Sequence, residues 1–215
     1  VQMESTFSKY INVNGHLLDL SVPRVMGILN VTPDSFYAGS RQQTETDIAT
    51  RARQILDEGA CIIDIGAYSS RSDAQHISAA EEMSRLRTGL EIIRRNHRDA
   101  IISVDTFRAD VAEMCVTEYG VAIINDIAGG EMDDQMFQTV ARLNVPYIMM
   151  HMKGTPQNMQ KNPHYDNLVK EVFLYFARKV EQLRAMGVKD MILDPGFGFG
   201  KTVDHNYELM AYLAD

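Results

Sequence analysis

Polar side chains end most of the short apolar segments in this sequence, and their types are the ones best suited to chemistry. They are Asn30, Asp105, Asn125, His151 and Asp194. A carboxylate accepts two parallel N–H bonds, so carboxylates and amides gathered at one place suit a polar heterocycle with many donors. His151 could be a base or a satisfied core histidine. No Ser-His-Asp order and no metal-ligand spacing is found, so spacing alone assigns no nucleophile and no metal centre.

The motif DPGFGFGKT, which begins at Asp194, is the most informative stretch. It is close to the phosphate-binding pattern G-x-x-x-x-G-K-[ST], but Pro195 stands where that pattern requires its first glycine. This mismatch argues against a nucleoside triphosphatase. What remains is a glycine-rich turn whose backbone can approach a flat ligand, with Phe197 and Phe199 available to pack on it.

Three other loops allow both a structural and a functional interpretation. The motif NVTPDSF, which begins at Asn30, contains Pro-Asp turn chemistry. The loop with Ser70 and Arg71 is rich in hydroxyl groups and carries one cation, so it is either a solvated linker or a substrate loop. Asp105 or Thr106 could instead cap the next helix. Spacing alone leaves these alternatives open.

Short apolar segments that alternate with amphipathic ones must position these residues. Asn14-Gly15 predicts a hairpin between residues 10–13 and 16–20. Continuous apolar runs predict buried parallel strands at 25–29, 61–65, 101–104, 121–124, 147–150 and 191–193. Helical periodicity predicts six helices, near 48–59, 78–96, 108–119, 133–143, 168–183 and from 204 onward.

Six consecutive strand–helix units predict an α/β fold with a parallel sheet. Polar residues at the ends of several strands favour a TIM (β/α)8-type barrel over a doubly wound sheet, which would gather them at one switch point. We expect a single domain over residues 1–215, with an N-terminal hairpin in residues 1–22. Because a complete barrel has eight units in about 250 residues, we also expect the last two units to be missing.

Composition excludes several classes of protein. With 45% hydrophobic and 23% charged residues, the chain has enough apolar content for a core and is not mainly disordered. No apolar run approaches the roughly 18–20 residues that span a bilayer. The net charge of −8 argues against a nucleic-acid partner. Cys61 and Cys115 are expected to be buried free thiols, and together with the absence of a secretion signal they predict a cytoplasmic protein.

Five motifs together resemble the dihydropteroate synthase family of pterin-binding barrels. They are NVTPDSF, SVDTFR, INDIAGG, MMHMKGTPQNMQ and LDPGFGFGKT, in this order along the chain. The resemblance implies a (β/α)8 barrel that joins 6-hydroxymethyl-7,8-dihydropterin diphosphate to p-aminobenzoate and releases pyrophosphate. A related methyltransferase, which moves a methyl group from methyltetrahydrofolate to a corrinoid protein, would share the pterin pocket. Membership of that family would not explain the NVTPDSF motif. An inactive, truncated barrel is a second alternative.

The resemblance also implies roles for particular residues. Mg²⁺, bound to the diphosphate, would contact Asn30. Asp105, Ser70 and Arg71 would be the catalytic residues. The substrate-binding residues would be Asp105, Asn125, Met150, Asp194, Gly198, Phe199 and Lys201. Mg²⁺ would be the cofactor and the two small-molecule substrates the partners, with a possible homodimer in the full-length form and no nucleic acid or membrane partner.

The sequence departs from the family pattern in two loops and at its end. The first loop continues FYAGS, where the family more often has an aspartate and paired glycines. The second reads YSSRSD in place of the usual Glu-Ser-Thr-Arg-Pro-Gly, although Ser70 keeps a hydroxyl group. The family's Ser-Arg-Lys and Arg-x-His motifs do not follow Asp215. We therefore expect the polypeptide as printed to bind substrate poorly and to turn it over slowly or not at all.

Overall fold

A computed structural model describes residues 9–31, 41–68, 76–155 and 158–213, so the predicted positions Ser70 and Arg71 lie outside the described residues. The strands are β1 (Tyr10–Val13), β2 (His16–Asp19), β3 (Met26–Asn30), β4 (Ile62–Gly66), β5 (Ile101–Asp105), β6 (Ile123–Asp126), β7 (Tyr147–Met150) and β8 (Met191–Asp194). The helices are α1 (Arg41–Asp57), α2 (Ala79–Asn96), α3 (Ala109–Tyr119), α4 (Met136–Leu143), α5 (Leu168–Ala185) and α6 (Val203–Ala211).

Strands β1 and β2 form the predicted hairpin. Asn14 and Gly15 both have positive φ, 52° and 85°, which is the conformation of a tight two-residue turn. The hairpin packs Ile11 and Val13 against the strand residue Ile123. Asn14 also donates a 2.9 Å hydrogen bond from Nδ2 to the carbonyl of Gly120, just before β6. The hairpin therefore covers the inner face of the sheet at the amino-terminal ends of its strands.

The other six strands form one parallel sheet in the order β3-β4-β5-β6-β7-β8. Each strand pairs with its neighbour in the sequence, so the order never reverses, as it would at the switch point of a doubly wound sheet. Within the described part of the chain, β3 and β8 are the two edge strands. This order is that of a (β/α)8 barrel and confirms the predicted fold class.

The two faces of the sheet carry different cores, because successive side chains of a strand point to opposite faces. The outer face contributes residues such as Leu29, Ile65 and Met149, which pack against the helices in the larger cluster of buried apolar residues. The inner face contributes Ile62, Ile123 and Ile148, which pack against the hairpin. Truncating one of these buried residues to alanine costs about 2–5 kcal/mol.

The helix starts agree with the predicted capping chemistry in part. The side chain of Ser78 accepts a 3.2 Å bond from the Glu81 N–H at the start of α2, as predicted. At α6, however, Thr202 and His205 form the capping box, so this helix begins one residue before the predicted Asp204. The interpretation that Asp105 or Thr106 caps the next helix is wrong, because the N-cap residue of α3 is Arg108 and Asp133 Oδ2 accepts the bond from the first N–H of the helix, at 2.7 Å.

Two further expectations concern the cysteines and membrane insertion. Cys115 is buried, whereas Cys61 is partly exposed, and both thiols are free. Cys61 lies just before β4 and its Sγ is 3.7 Å from the carbonyl oxygen of Val25. In the described ranges, no helix combines the length and the apolar character that crossing a bilayer requires.

Candidate functional site

Four residues at the carboxyl ends of neighbouring strands stand in one row. Asn30 pairs with Gly66, Gly66 with Asp105, and Asp105 with Asn125 in the register of the sheet. Farther along the sheet, Met150 on β7 pairs with Asp194 on β8. The sheet therefore brings five of the predicted residues to the edge that is formed by the carboxyl ends of its strands. Barrel enzymes have their active sites at this edge.

Asp105 is a half-buried carboxylate that accepts no hydrogen bond from the described part of the chain. Burial raises its pKa well above the ordinary value, and the negative charges of Asp64, Asp126 and Glu82 raise it further. Next to it, Gly66 has no side chain. A methyl group at Gly66 would lie 3.4 Å from Asp105 Oδ2 and 3.6 Å from Asn30 Oδ1.

Directly below this row, Asp64 forms a buried hydrogen-bond network. Its Oδ1 accepts a 2.6 Å bond from Ser103 Oγ, and its Oδ2 accepts a 3.0 Å bond from Asn125 Nδ2. Burial raises the pKa of Asp64, whereas both hydrogen bonds lower it. We assign the ionised state to Asp64 in preference to Asp105, because Asp64 accepts two hydrogen bonds and Asp105 accepts none.

The loop that follows Asn125 is held by Asp126, which is fully buried. Its carboxylate accepts 2.8 Å bonds from the N–H groups of Ala128 and Gly130 and a 2.7 Å bond from Tyr147 Oη. Burial raises the pKa of Asp126 despite these three bonds. The network fixes the backbone immediately after β6 and thereby the end of the strand that carries Asn125.

The loop that follows β5 is held in a similar way. Glu82 of α2 is fully buried, accepts a 2.8 Å bond from Thr106 Oγ1 and forms an ion pair with Arg108. Arg108 also donates a 2.8 Å bond from Nη2 to the carbonyl of Ile77. These contacts fasten the residues after Asp105 to the start of α2.

Asp194 begins the glycine-rich turn and stabilises it. Its Oδ1 accepts a 2.8 Å bond from the Gly196 N–H, and its other carboxylate oxygen accepts none from the described residues. Gly196 has a φ of 71°, and a Cβ there would lie 2.2 Å from the carbonyl oxygen of His151. Only glycine fits this position, so the turn can lie directly against the end of β7.

Lys201 lies beneath the same turn, with 4% of its surface exposed. Its ammonium donates to the carbonyls of His151 and Gly196, both at 3.1 Å, and of Phe199 at 3.0 Å. Burial lowers the pKa of Lys201 to about 8, and the charge of Asp194 opposes that shift. All three donors of the ammonium are used within the protein, so the substrate contact predicted for Lys201 would require one of these bonds to break.

An apolar cluster lies beside Asp194. Phe199 packs against a small group of buried residues, namely Ile127, Met150, Met152 and Met159. The exposed Gly198 donates a 2.8 Å bond to Asn206 Oδ1 and accepts one from Gln160 Nε2. The carboxyl ends of the strands therefore combine hydrogen-bond acceptors on β5, β6 and β8 with an apolar cluster at the end of β7.

His151, which directly follows β7, is buried. Its Nδ1 has no hydrogen-bond partner, and its ring packs edge-on against Tyr175 at 4.9 Å between centroids. Burial, with a smaller contribution from the charge of Lys201, lowers its pKa to about 4. His151 is therefore neutral at pH 7 and belongs to the aromatic packing between β7 and α5, in agreement with the core interpretation except that one nitrogen is unsatisfied.

The donor set suits a metal ion that arrives with its ligand better than a resident one. No group of three or more His, Cys, Asp or Glu side chains within the described ranges is arranged to bind a metal. Asn30 Oδ1 and Asp105 Oδ2, however, are both within 3.6 Å of the position that a Cβ of Gly66 would occupy. Mg²⁺ commonly takes one or two protein oxygens and completes its shell with phosphate oxygens and water. The residues present fit such an ion.

Sequence reasoning missed three residues of this site, Asp64, Gly66 and Ser103. The sequence does contain a signal for Asp64, since a carboxylate within the apolar run IIDI of a buried strand must be compensated by partners. The partners themselves lie 39 and 61 residues away, at Ser103 and Asn125. They become visible only when the strand register is known.

The family model described as "Pterin binding enzyme" matches residues 26–215. The chain is 41% identical over 202 residues to a dihydropteroate synthase of Haemophilus influenzae, which covers 93% of this chain and 72% of that protein. It is also 38% identical over 217 residues to a folate synthesis bifunctional protein of Arabidopsis thaliana, of which it spans 45%.

Solved structures give the same similarity. A Yersinia pestis dihydropteroate synthase in a sulfonamide drug complex superposes with a TM-score of 0.84 at 38% identity, over 95% of this chain and 74% of that one. A Xanthomonas albilineans dihydropteroate synthase with 4-aminobenzoic acid superposes with a TM-score of 0.81 at 34% identity, over 96% and 73%.

Proposed function

This chain belongs to the dihydropteroate synthase family of pterin-binding enzymes, and we propose that it condenses 6-hydroxymethyl-7,8-dihydropterin diphosphate with p-aminobenzoate to 7,8-dihydropteroate and pyrophosphate. The observation that supports this most strongly is a set of unused acceptors at one edge of the sheet. They are the Asp105 carboxylate, Asn125 Oδ1 and the second oxygen of Asp194.

These acceptors match the pterin half of the reaction. A pterin carries an amino group and ring N–H groups on one edge, and a carboxylate accepts two such donors in parallel. Asp194 and Asn125 would fix the ring in its plane, and Met150 with Phe199 would pack beside it. Holding the ring in one orientation places its exocyclic methylene in a constant position for attack.

Asp105 would stabilise the charge that develops during the reaction. The C–O bond to the diphosphate breaks, and positive charge appears on the methylene and the conjugated ring. A carboxylate that is half-buried and lacks other partners interacts strongly with such a charge, because little solvent screens it. The raised pKa of Asp105 has the same origin, since the site disfavours its negative charge until a cation is present.

Mg²⁺ would be held by Asn30 and by the oxygens of the diphosphate, and when bound it neutralises charge on the leaving group. Gly66 keeps the space between Asn30 and Asp105 open. The role of Gly66 is therefore steric, because any side chain there would approach both residues.

The acceptor p-aminobenzoate would enter along the glycine-rich turn. Phe199, which packs on the apolar cluster, and Gly198 would line its ring, and the neighbouring Phe197 is exposed. The arylamine nitrogen attacks the methylene carbon, a C–N bond forms, pyrophosphate departs, and the amine loses one proton. No covalent intermediate with the protein is needed. Sulfonamides, which mimic p-aminobenzoate, would occupy the same place.

The test is a direct assay of the purified polypeptide as its source cell produces it. Incubation with the dihydropterin diphosphate, p-aminobenzoate and Mg²⁺ should release pyrophosphate and form dihydropteroate in equal amounts. Methyl transfer from methyltetrahydrofolate to a corrinoid protein, with no pyrophosphate, would overturn the proposal. Ser70 and Arg71 as catalytic residues, a cytoplasmic location and a homodimer stay predictions of the sequence.

A further inference from the structure

Asp64 is an unusual residue for its position. It stands in the middle of β4, in the run IIDIG whose five residues are all buried, with 5% of its own surface exposed. Burying a carboxylate is costly unless hydrogen bonds replace the lost water. A residue of this kind needs partners, and the strand register supplies them from β5 and β6.

The two hydrogen bonds of Asp64 reach different strands. Ser103 lies directly opposite on β5 and donates from Oγ at 2.6 Å. Asn125 lies on β6, beyond β5, and donates from Nδ2 at 3.0 Å. The carboxylate therefore bridges the inner face of three consecutive strands, immediately below the row that contains Gly66 and Asp105.

The bond to Asp64 determines which atom of Asn125 is available to a ligand. A side-chain amide has a donor end and an acceptor end, and the carboxylate of Asp64 accepts bonds only. Nδ2 must therefore be the end that faces Asp64, and Oδ1 is left as the free end. Oδ1 accepts no hydrogen bond from the described residues.

We infer that Asp64 is a positioning residue of the pterin site, which holds the Asn125 amide in the one orientation that presents Oδ1 to a ligand donor. This inference rests on the proposed function. Asp64 does not touch the ligand itself, and it makes the site selective for a donor at this point. A ligand with a hydrogen-bond acceptor at this point would face Asn125 Oδ1, which is also an acceptor and is held in place by the bond between Nδ2 and Asp64.

An exchange of the two side chains tests this orientation. In N125D two carboxylates face each other, so the pterin affinity should fall by about tenfold, because one hydrogen bond is lost and a repulsion is gained. In D64N/N125D the new amide at position 64 can donate to the new carboxylate at position 125, which keeps its other oxygen for the ligand. The net charge of the pair is also restored, so the affinity should return to within about threefold of the parent.

The dissociation constant of dihydropterin diphosphate is measured by calorimetry on the polypeptide as its source cell produces it. Thermal unfolding of every variant identifies any that fails to fold, and D57N, at an exposed site near the end of α1, is the control.

The outcomes separate the inference from the function on which it rests. A parent protein that binds no pterin overturns both. A parent that binds pterin, with N125D as tight as the parent or D64N/N125D no tighter than N125D, overturns the positioning role alone. If N125D does not fold, a folded D64N/N125D that binds more than tenfold weaker than the parent overturns the role, whereas recovery of both folding and parental affinity by the exchange supports it.

Discussion

Gly66 faces Asp105 across neighbouring strands, with their Cα atoms paired in the register of the sheet. A methyl group at Gly66 would lie 3.3 Å from Asp105 Cβ and 3.4 Å from its Oδ2. The backbone of Gly66 does not have positive φ, so the absence of a side chain there is not required by the chain itself. The absence of a side chain at Gly66 instead leaves the Asp105 carboxylate and Asn30 Oδ1 uncrowded.

Gly66→Ala should therefore impair activity more than stability. The methyl group displaces the Asp105 carboxylate by a few tenths of an ångström and narrows the space next to Asn30. We expect kcat/KM to fall by about tenfold, because small displacements of reacting groups slow a reaction strongly. The free energy of unfolding should change by less than about 1 kcal/mol. Steady-state kinetics and urea unfolding measure the two effects. Unchanged kinetics in a folded G66A would show that the space is not used.

Asp105→Asn tests the electrostatic role of the carboxylate. The substitution preserves shape and removes the charge, so we expect kcat to fall by at least about a hundredfold. The protein should be as stable as the parent or more stable, because Asp105 suffers burial and the repulsion of Asp64, Asp126 and Glu82. The control is D57N, which alters an exposed carboxylate.

The same carboxylate should set the acid limit of activity. Only the ionised form stabilises a cation, and the folded protein raises the pKa of Asp105 well above 3.8. Activity of the parent should thus decline as the pH falls through that raised pKa, and the residual activity of D105N should lack this decline. If the activities of the parent and of D105N decline over the same acidic pH range, the decline is caused by a group other than Asp105.

Lys201→Met distinguishes a structural lysine from a substrate contact. Methionine keeps an apolar stem, but the carbonyls of His151, Gly196 and Phe199 lose their shared donor. We expect a loss of about 2–4 kcal/mol in the free energy of unfolding and a higher KM for p-aminobenzoate, because the turn loosens. K189M, at an exposed lysine, is the control. Full stability with lost pterin binding would instead support the contact that the sequence predicts.

His151→Phe tests the neutral state of that histidine. The folded protein lowers its pKa from 6.5 to about 4, so between these values the unfolded chain binds a proton that the folded chain does not. Its contribution to stability is therefore lost as the pH falls from 6.5 towards 4. Relative to H151F, the parent should lose up to about 3 kcal/mol over this interval. H164Q, which removes an exposed histidine side chain, is the matched control.

The elements that could be predicted are those with local causes. Asn14-Gly15 alone determines the hairpin turn, and the β-branched runs locate all six parallel strands to within about two residues. The polar strand ends also predict where the site lies. The sequence pattern places the start of α6 one residue too late, because Thr202 and His205 cap the helix together and a capping pair that uses histidine is not a common sequence signal.

Interactions between distant segments could not be predicted. Nothing near Asp64 in the sequence indicates that Ser103 and Asn125 will be its partners, because those contacts depend on the register of three strands. The environment of Lys201 depends on the positive φ of Gly196, Gly198 and Gly200, which curls the carbonyls of the turn around the ammonium. Sequence patterns indicate that a glycine-rich turn exists, but not which groups it encloses.

The most direct test of the central claim is a crystal structure of the polypeptide, as its source cell produces it, with the pterin substrate bound. The pterin N–H donors should lie about 2.7–3.2 Å from the Asp105 carboxylate, from Asn125 Oδ1 and from the second oxygen of Asp194. A pterin bound elsewhere, or bound at this edge with these three acceptors still unused, would contradict the account.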